Sequence, residues 1–252
     1  MEEIKLTPEE LKAAIDFGKL IGGGLTSKLF TYNGRLIKLD ERLYHYLKIN
    51  NPSAATDVLL DRYKWDRHDF NDREQIEELI KKQPFIRPRV PEGIITIKDS
   101  DSKINGISPG IIIPHFQGYQ NLKRVSPTEY KRLLILLKKI FQDIKNLADN
   151  EIAQEDLYHD DHGKYPNDPD VFDYNIIQKG YDPQIIDLSG PQVKVGKDFT
   201  DASKMYSEFA SLLNHYYKVY GLEPIYGENE NFDEHKLATM ITELEKETKS
   251  KR

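Results

Sequence analysis

The chain has 252 residues, of which 38% are hydrophobic and 31% charged, with 15 tyrosines and 10 phenylalanines. This length and aromatic content are enough for a sizeable core, and they exclude a disordered or collagen-like chain. The 36 basic and 42 acidic residues give a net charge of −6 and little attraction for polyanions, so we expect no nucleic-acid partner.

The apolar runs and the cysteine content of the chain predict its cellular location. The longest aliphatic run covers only residues 133–137 and the N-terminus is charged, so we expect no spanning helix, no signal peptide and no membrane partner. The chain has no cysteine, which excludes a disulfide framework, a zinc ribbon and a thiol nucleophile. This fits a reducing compartment, and we expect a cytoplasmic location.

The first forty residues predict a helix and then a hairpin. Thr7-Pro8-Glu9-Glu10 has the form of a capping box and is followed by apolar residues at helical spacing, so we expect a helix to about Phe17. Three glycines, Gly22 to Gly24, then separate two strand-like stretches. Asn33-Gly34 stands between residues 28–32 and 35–39 and predicts a tight hairpin turn.

The next eighty residues alternate between helical and extended patterns. Helical spacing predicts helices over 54–63 and 71–82. Strand-like stretches follow at 94–97, 103–106 and 111–113, with a polar turn at 99–102. The chain up to Pro114 is therefore expected to be a sheet of hairpins with short helices packed on it.

The second half is predicted to be mainly helical. Residues from Ser126 to Leu147 form a long helix that is apolar around much of its circumference, which indicates deep burial. A strand pair is expected at 175–177 and 184–186, and helices at about 200–219 and 233–246. The predicted fold class is α+β, with a strand-rich part before a helix-rich part.

The glycine run and a strand lysine are the first candidates for chemistry. The run from Gly22 to Ser27 lies between two strands, where a backbone with little side-chain bulk can cover phosphates, although a plain tight turn is the alternative. It opens a hairpin rather than a helix, which disfavours a P-loop or Rossmann site. Lys38 shares a strand face with Leu36, so its ammonium needs an anionic partner if that face is buried; an exposed lysine is the alternative.

These features resemble the protein-kinase-like superfamily, in which a glycine-rich hairpin, a strand Lys and a helix Glu anchor the phosphates of ATP. Ser27 stands in place of the third glycine. The resemblance implies that the helix Glu is Glu74, with Glu77 and Glu78 as rivals. It also implies that ATP phosphates are bound by Gly22, Gly23, Gly24, Ser27 and Lys38.

The second half extends this resemblance. Gln154-Glu155-Asp156-Leu157 looks like the catalytic loop His-Arg-Asp-Leu with its first two residues replaced, which implies that Asp156 is the catalytic base. Asn175 and Asp187, the latter in Asp187-Leu188-Ser189-Gly190, resemble the two metal-binding positions and imply a bound Mg²⁺. A carboxylate between a buried strand and a small-residue turn is itself well placed to hold that ion.

The catalytic loop departs from the family pattern. Eighteen residues separate Asp156 from Asn175, where the family has four. The extra stretch, from Tyr158 to Pro169, is rich in Asp and His, and we interpret it as a solvated loop insertion rather than a metal site. Asp170 restores the expected spacing to Asn175 and is the rival base.

The stretch from Ile111 to Tyr119 resembles the hinge that lines the adenine pocket. Pro114, His115 and Phe116 are expected to present backbone groups to adenine, with His115 as a spacer rather than a catalyst. After Asp187 the chain is too short for a long activation segment, and it has no Ala-Pro-Glu motif.

The resemblance implies one divergent kinase-like domain of two lobes. Residues 1–117 would be an ATP-covering lobe of antiparallel sheet with a helix, and residues 118–252 a catalytic helical lobe. The expected function is ATP- and Mg²⁺-dependent transfer of a phosphoryl group to a hydroxyl of a protein or a small molecule. The alternatives are nucleotidyl (AMP) transfer on the same scaffold, and a pseudokinase or nucleotide-binding interaction module, which the replacements at Gln154 and Glu155 and the insertion favour.

Overall fold

A computed structural model describes residues 1–23, 27–49, 71–98, 107–122, 125–160, 172–190, 192–223 and 231–250. The helix predicted at 54–63, the turn at 99–102 and the strand at 103–106 lie outside these ranges, as do Gly24, Asp170 and most of the insertion. The chain is α+β and forms two compact units. The first comprises Met1–Gln83, Val90–Phe116 and Leu188–Pro191, and the second Pro84–Arg89, Gln117–Asp187 and Gln192–Arg252.

The first unit is built on a six-stranded sheet. Its strands, with a separate short pair β5 and β7, are β1 (Glu2–Leu6), β2 (Lys19–Gly23), β3 (Ser27–Tyr32), β4 (Arg35–Asp40), β5 (Asn71–Asp72), β6 (Gly93–Ile97), β7 (Ile107–Ser108) and β8 (Gly110–Ile113). The order in the sheet is β1-β6-β8-β4-β3-β2. The helices are α1 (Pro8–Phe17), α2 (Glu41–Ile49) and α3 (Arg73–Lys82).

The sheet is mixed, which corrects the expectation of a purely antiparallel one. β1 runs parallel to β6, with Glu2 opposite Gly93 and Leu6 opposite Ile97, whereas the other neighbours in this sheet are antiparallel. Leu6 is buried in the core and Ile4 packs against it. The apolar side chains at alternate positions explain why this charged terminal stretch joins the sheet edge.

The predicted first helix and hairpin are confirmed. Thr7 Oγ1 accepts a hydrogen bond from Glu10 N at 3.1 Å, and Thr7 N donates to Glu10 Oε2 at 2.7 Å, which is the reciprocal capping box. In the β3–β4 turn Asn33 and Gly34 have φ of 47° and 75°, as a two-residue hairpin loop requires.

The core of this unit lies between one face of the sheet and two helices. α2 was not predicted; it follows β4 directly, and Asp40 Oδ1 accepts from Leu43 N at 2.9 Å at its start. α3 contacts β6 and buries Ile76 and Leu79 outside this core, as expected for a helix on the second face. The buried core residues are Leu6, Leu11, Ala14, Ile15, Phe30, Ile37, Leu39, Leu43, Tyr44, Leu47, Ile95 and Ile112.

The second unit is mainly helical. Its helices are α4 (Tyr130–Asp149), α5 (Ser203–Val219) and α6 (Glu234–Ser250), and α4 contacts α5, α6, β10 and β14. The predicted long helix, strand pair and two C-terminal helices are confirmed. The strands are β9 (Gln120–Asn121), β10 (Ile152–Gln154), β11 (Tyr158–Asp160), β12 (Phe172–Tyr174), β13 (Ile176–Lys179), β14 (Asp182–Ile185) and β15 (Val193–Val195).

An ion pair holds the short segment Pro84–Arg89 within the second unit. Arg87 binds both carboxylate oxygens of Asp143, with Nε donating to Oδ1 at 2.7 Å, and Asp143 is 3% exposed on α4. The same guanidinium donates to Asp182 Oδ1 at 2.6 Å and to Pro183 O at 2.7 Å. A buried carboxylate requires such a bidentate partner.

Replacing Arg87 by Met is expected to leave Asp143 buried without its cation. Because the Arg87 side chain is 39% exposed, we expect a loss near the low end for a broken buried pair, about 3 kcal/mol of unfolding free energy, measured by urea titration. The control is the double variant Arg87→Met/Asp143→Leu, which removes both charges and should recover most of the loss. A single variant as stable as wild type would contradict the assignment.

Candidate functional site

Asp156 and Asn175 lie together despite the eighteen residues between them. β11 and β12 pair antiparallel, with Tyr158 opposite Tyr174. The chain that leaves Asp156 through β11 therefore returns beside it through β12. At that place Asn175 Nδ2 donates to Asp156 O at 2.5 Å and lies 3.3 Å from Asp156 Oδ2. Residues 158–160 therefore form a strand, which corrects the interpretation of the insertion as a plain loop from its first residue.

Asp187 is joined to the same region through the backbone. Ile186 N donates to Asn175 O at 2.9 Å, directly before Asp187. Gln154 Nε2 donates to Asp187 O at 2.7 Å, and Gln154 is completely buried where β10 pairs with β15. Asp156, Asn175 and Asp187 thus lie on segments that hydrogen bonds connect directly.

Asp187 has a φ of 59°, in the left-handed region. A small share of residues other than glycine adopt this region, Asp and Asn more often than most, and Asn33 and Glu151 of this chain do so as well. The conformation turns the chain sharply between β14 and the buried Leu188 and Ser189. Such a turn presents a carboxylate at the end of a strand.

Asn175 and Asp187 carry oxygen atoms of the kinds that magnesium takes as ligands. The amide nitrogen of Asn175 is committed to Asp156, which leaves its oxygen Oδ1 for a cation. Mg²⁺ in nucleotide sites takes one or two carboxylates, with the other ligands from phosphate and water. In the described parts of the chain no three His, Asp or Glu side chains form a group that could hold a metal ion.

Gln154 and Glu155 are the two residues that the sequence analysis compared with the His and Arg of a catalytic-loop motif. Gln154 holds the carbonyl of Asp187, as described above. Glu155 N donates to Gln192 O at 2.8 Å, and its carboxylate lies 3.5 Å from Lys204 Nζ. The Gln154 side chain therefore holds a backbone group, whereas the Glu155 side chain forms an ion pair and its bond to Gln192 comes from its own backbone.

Glu208 supports the loop from α5, and the sequence analysis missed it. Its carboxylate accepts a hydrogen bond from Leu157 N, next to Asp156. Burial raises the pKa of Glu208 from 4.5 to about 6, with the charge of Asp156 adding to the rise and the Leu157 hydrogen bond and Lys204 opposing it. The available signal was its place between Met205 and Phe209 on the apolar face of the predicted helix.

The glycine-rich stretch occupies the first unit. Gly22 and Gly23 end β2 after a bulge at Leu20–Gly22, and Ser27 begins β3 opposite Asp40. Gly22 is exposed, has no positive φ, and a Cβ there would meet nothing within 4 Å. Among the described residues, therefore, no packing contact requires glycine at this position, and glycine also permits close approach of a ligand to the backbone.

Lys38 lies on the central strand β4, opposite Leu29 on β3 and Ile111 on β8. Ile37 and Leu39 point into the core, so Lys38 shares the second face with Leu36, as predicted, and is half-buried. An isolated surface lysine is therefore a poor description of this residue.

Three glutamates on α3 were candidates for the helix Glu. Glu74 is exposed in the first turn of α3. Glu77 pairs with Arg73 at 3.0 Å, and Glu78 pairs with Lys81 at 3.3 Å. The two rivals thus have ion-pair partners on their own helix.

The predicted hinge follows β8. Pro114 is buried, His115 is exposed and Phe116 is half-buried. The chain passes from the first unit to the second directly after Phe116. The exposed His115 agrees with a spacer.

No known family model matches the chain, and no curated protein matches it. Among the described helices, none is both long and apolar enough to cross a lipid bilayer.

Glu208 predicts a specific dependence of stability on pH. Because its pKa is raised by folding, the native state retains a proton that the unfolded chain has lost between pH 4.5 and about 6. The free energy of unfolding should therefore fall by about 2 kcal/mol as pH rises through this window, and stay flat above it. Glu208→Gln should lack this fall in urea titrations at pH 4 and 7.

Glu245 provides a control of opposite sign. Hydrogen bonds from Lys138 and Lys249 lower the pKa of Glu245, so its stabilisation is present above the ordinary glutamate pKa and is lost as pH falls. Glu245→Gln should therefore cost stability at pH 7 and little at pH 4. If the free energy of unfolding depends on pH identically in wild type and Glu208→Gln, then burial does not raise the pKa of Glu208.

Proposed function

We propose that the protein is an ATP- and Mg²⁺-dependent phosphotransferase with a two-lobed protein-kinase-like fold, and that it transfers the terminal phosphoryl group to a hydroxyl of a protein or a small molecule. The observation that carries the proposal is the linked set of Asp156, Asn175 and Asp187. A base beside two magnesium ligands is what phosphoryl transfer to a hydroxyl requires.

Each residue of this set has a role in the proposed reaction. Asp156 accepts the proton of the attacking hydroxyl, and Asn175 Oδ1 and the Asp187 carboxylate hold Mg²⁺. When bound, Mg²⁺ supplies positive charge to the phosphate oxygens. Gln154 and Glu208 hold the backbone beside these groups, so that they need little reorganisation during the reaction.

The first unit supplies groups suited to the nucleotide. In the proposal Lys38 binds the phosphates, Glu74 orients Lys38, and the backbone from Pro114 to Phe116 contacts adenine. The phosphates are covered by backbone amides of Gly22, Gly23, Gly24 and Ser27. The open space at Gly22 supports this assignment.

Two other activities remain open on the same scaffold. A pseudokinase would bind nucleotide without turnover, and a nucleotidyl transferase would attach AMP. The replacement of His by Gln154 does not by itself favour a pseudokinase, because Gln154 still holds the carbonyl of Asp187. Mass spectrometry of the protein and candidate acceptors after incubation with ATP and Mg²⁺ separates the three, because phosphorylation, adenylylation and no change give different masses.

The roles of Asp187 and Asp156 predict different losses. Asp187→Asn should abolish most of the Mg²⁺-dependent part of the rise in melting temperature with ATP, because a ligand stabilises only the state that binds it. Asp156→Asn should retain that rise and lower turnover by about two to four decades, as expected for loss of a general base.

The control for both variants is Asp198→Asn, an exposed carboxylate of the second unit outside the site. It should behave as wild type in melting and turnover. The metal assignment is wrong if ATP shifts the melting temperature equally with and without Mg²⁺ in wild type and Asp187→Asn. If Asp170→Asn and not Asp156→Asn removes turnover, the base lies in the insertion.

Lys38→Met tests the nucleotide site of the first unit. Losing a charge-assisted contact to phosphate costs about 1.5–3 kcal/mol, or roughly one to two decades in ATP affinity, whereas an exposed ion pair contributes about 0–1 kcal/mol. Calorimetric titration with ATP and Mg²⁺ measures the loss. Lys5→Met, on the edge strand β1, is the matched control and should bind as wild type does. Near-normal affinity in Lys38→Met would remove Lys38 from the site.

A further inference from the structure

The turn from Asp187 to Gly190 is fixed at both ends by glutamine side chains. At the first end Gln154 donates to Asp187 O, within the second unit. At the other end Gln75 Nε2 donates to Gly190 O at 2.9 Å, and Gly190 N donates to Gln75 Oε1 at 3.1 Å, within the first unit. Gln75 and Gly190 are 115 residues apart in the chain.

The contact of Gln75 with Gly190 fixes both position and orientation. An amide side chain that donates to and accepts from one residue reproduces the two-bond exchange between paired residues of an antiparallel sheet. Because the amide group is planar, the two bonds together restrict the rotation of the Gly190 backbone, which a single bond would allow. The Gln75 side chain thus pairs with the Gly190 backbone as a residue of a neighbouring strand would.

The backbone of the turn requires such a restraint. Asp187 and Gly190 have φ of 59° and 88°, so left-handed residues bracket the buried Leu188 and Ser189. Left-handed conformations of residues other than glycine persist where their surroundings hold them. Gln75 holds the end of the turn that Gln154 does not reach.

Gln75 also connects the turn to α3. It lies in the first turn of that helix, next to Glu74. Arg73, on the other side of Glu74, lies 3.5 Å from Glu3 of β1 and 3.0 Å from Glu77. The start of α3 is therefore tied to the sheet, and through Gln75 to the turn that follows Asp187.

We propose that Gln75 is a positioning residue for Asp187: its amide fixes the turn through Gly190 and so sets the place of the carboxylate that binds Mg²⁺. This inference rests on the proposed function, in which Asp187 is a metal ligand. Residues that orient metal ligands typically change metal affinity by 10–100-fold when they are replaced. Gln75 touches neither nucleotide nor metal in this proposal.

The test compares Gln75→Leu with Gln83→Leu. Gln83 Oε1 accepts from Val90 N at 2.8 Å, so both variants lose a glutamine bond to backbone in the first unit, and Gln75 is the one of the two shown to bond to Gly190. Calorimetry gives ADP affinity with Mg²⁺ and with EDTA. We expect the Mg²⁺-dependent gain to fall at least about tenfold in Gln75→Leu, with metal-free affinity retained, and to stay at the wild-type value in Gln83→Leu.

Hydrogen exchange of the nucleotide-free protein gives a second readout. The Gly190 amide should lose protection in Gln75→Leu, and the Val90 amide in Gln83→Leu, each without the other. Gln75→Glu keeps the acceptor for Gly190 N but places an oxygen against Gly190 O. It should therefore also reduce the protection of the Gly190 amide and the Mg²⁺-dependent gain in ADP affinity. This variant replaces Gln75→Leu in the test if the Leu variant does not fold.

The outcomes separate this inference from the proposed function. If wild type shows a Mg²⁺-dependent gain that Asp187→Asn removes and both Gln75 variants retain it in full, the inference is wrong and the proposed function stands. If wild type shows no such gain, the proposed function fails and the positioning role fails with it, whatever the exchange data show. Unchanged protection at Gly190 in both Gln75 variants would also overturn the inference.

Discussion

The candidate site depends on one side-chain amide, that of Asn175. The chain makes an excursion of eighteen residues after Asp156, and closing a loop of that length costs conformational entropy that local contacts must offset. The β11–β12 pairing and the 2.5 Å bond from Asn175 Nδ2 to Asp156 O provide that offset at the base of the excursion. Asp187 is linked to the same place, because Ile186 N donates to Asn175 O. The pairing of β11 with β12 therefore brings the chain back beside Asp156, so the eighteen intervening residues do not separate Asp156 from Asn175 in space.

Polar side chains that are buried or half-buried do much of the positioning in the second unit. Gln154 and Asp143 are buried and Glu208 is half-buried, and each binds a backbone group or an ion-pair partner. Burying a polar group without a partner is costly, whereas satisfying a backbone group that would otherwise be orphaned returns much of that cost. For Glu208 the hydrogen bond from Leu157 and the charge of Lys204 do not fully offset the cost of burying the carboxylate, because its pKa is still raised to about 6. The loop beside Asp156 is thus held at some expense in stability near neutral pH, which is typical of functional sites.

Features set by neighbouring residues were predictable, and features set by distant pairing were not. The Thr7–Glu10 capping box, the Asn33-Gly34 turn and the spacing of α4 are local signals, and the structure has each of them. The parallel edge strand β1 and the β11–β12 ribbon depend on partners about ninety and fourteen residues away, which no local pattern specifies. α2 was missed although Leu43, Tyr44 and Leu47 have helical spacing, because its short length gives a weak periodic signal. For the site, motif order indicated Asp156, Asn175 and Asp187 but not Gln75, Gln154 or Glu208, whose roles appear only in their contacts.

The turn after β14 shows why these contacts matter for chemistry. A left-handed residue with a Cβ costs about 1–2 kcal/mol, and Asp187 adopts this conformation beside a buried, small-residue turn. Aspartate, like asparagine, adopts this region several-fold more often than most residues with a Cβ, which lowers the cost at this position. A carboxylate is required if the turn presents negative charge to a cation, and the hydrogen bond from Gln154 and the pair of bonds from Gln75 are then what keeps the strained conformation in place. Under the proposed function, in which Asp187 is a ligand of Mg²⁺, these hydrogen bonds would hold the backbone that carries the metal-binding carboxylate.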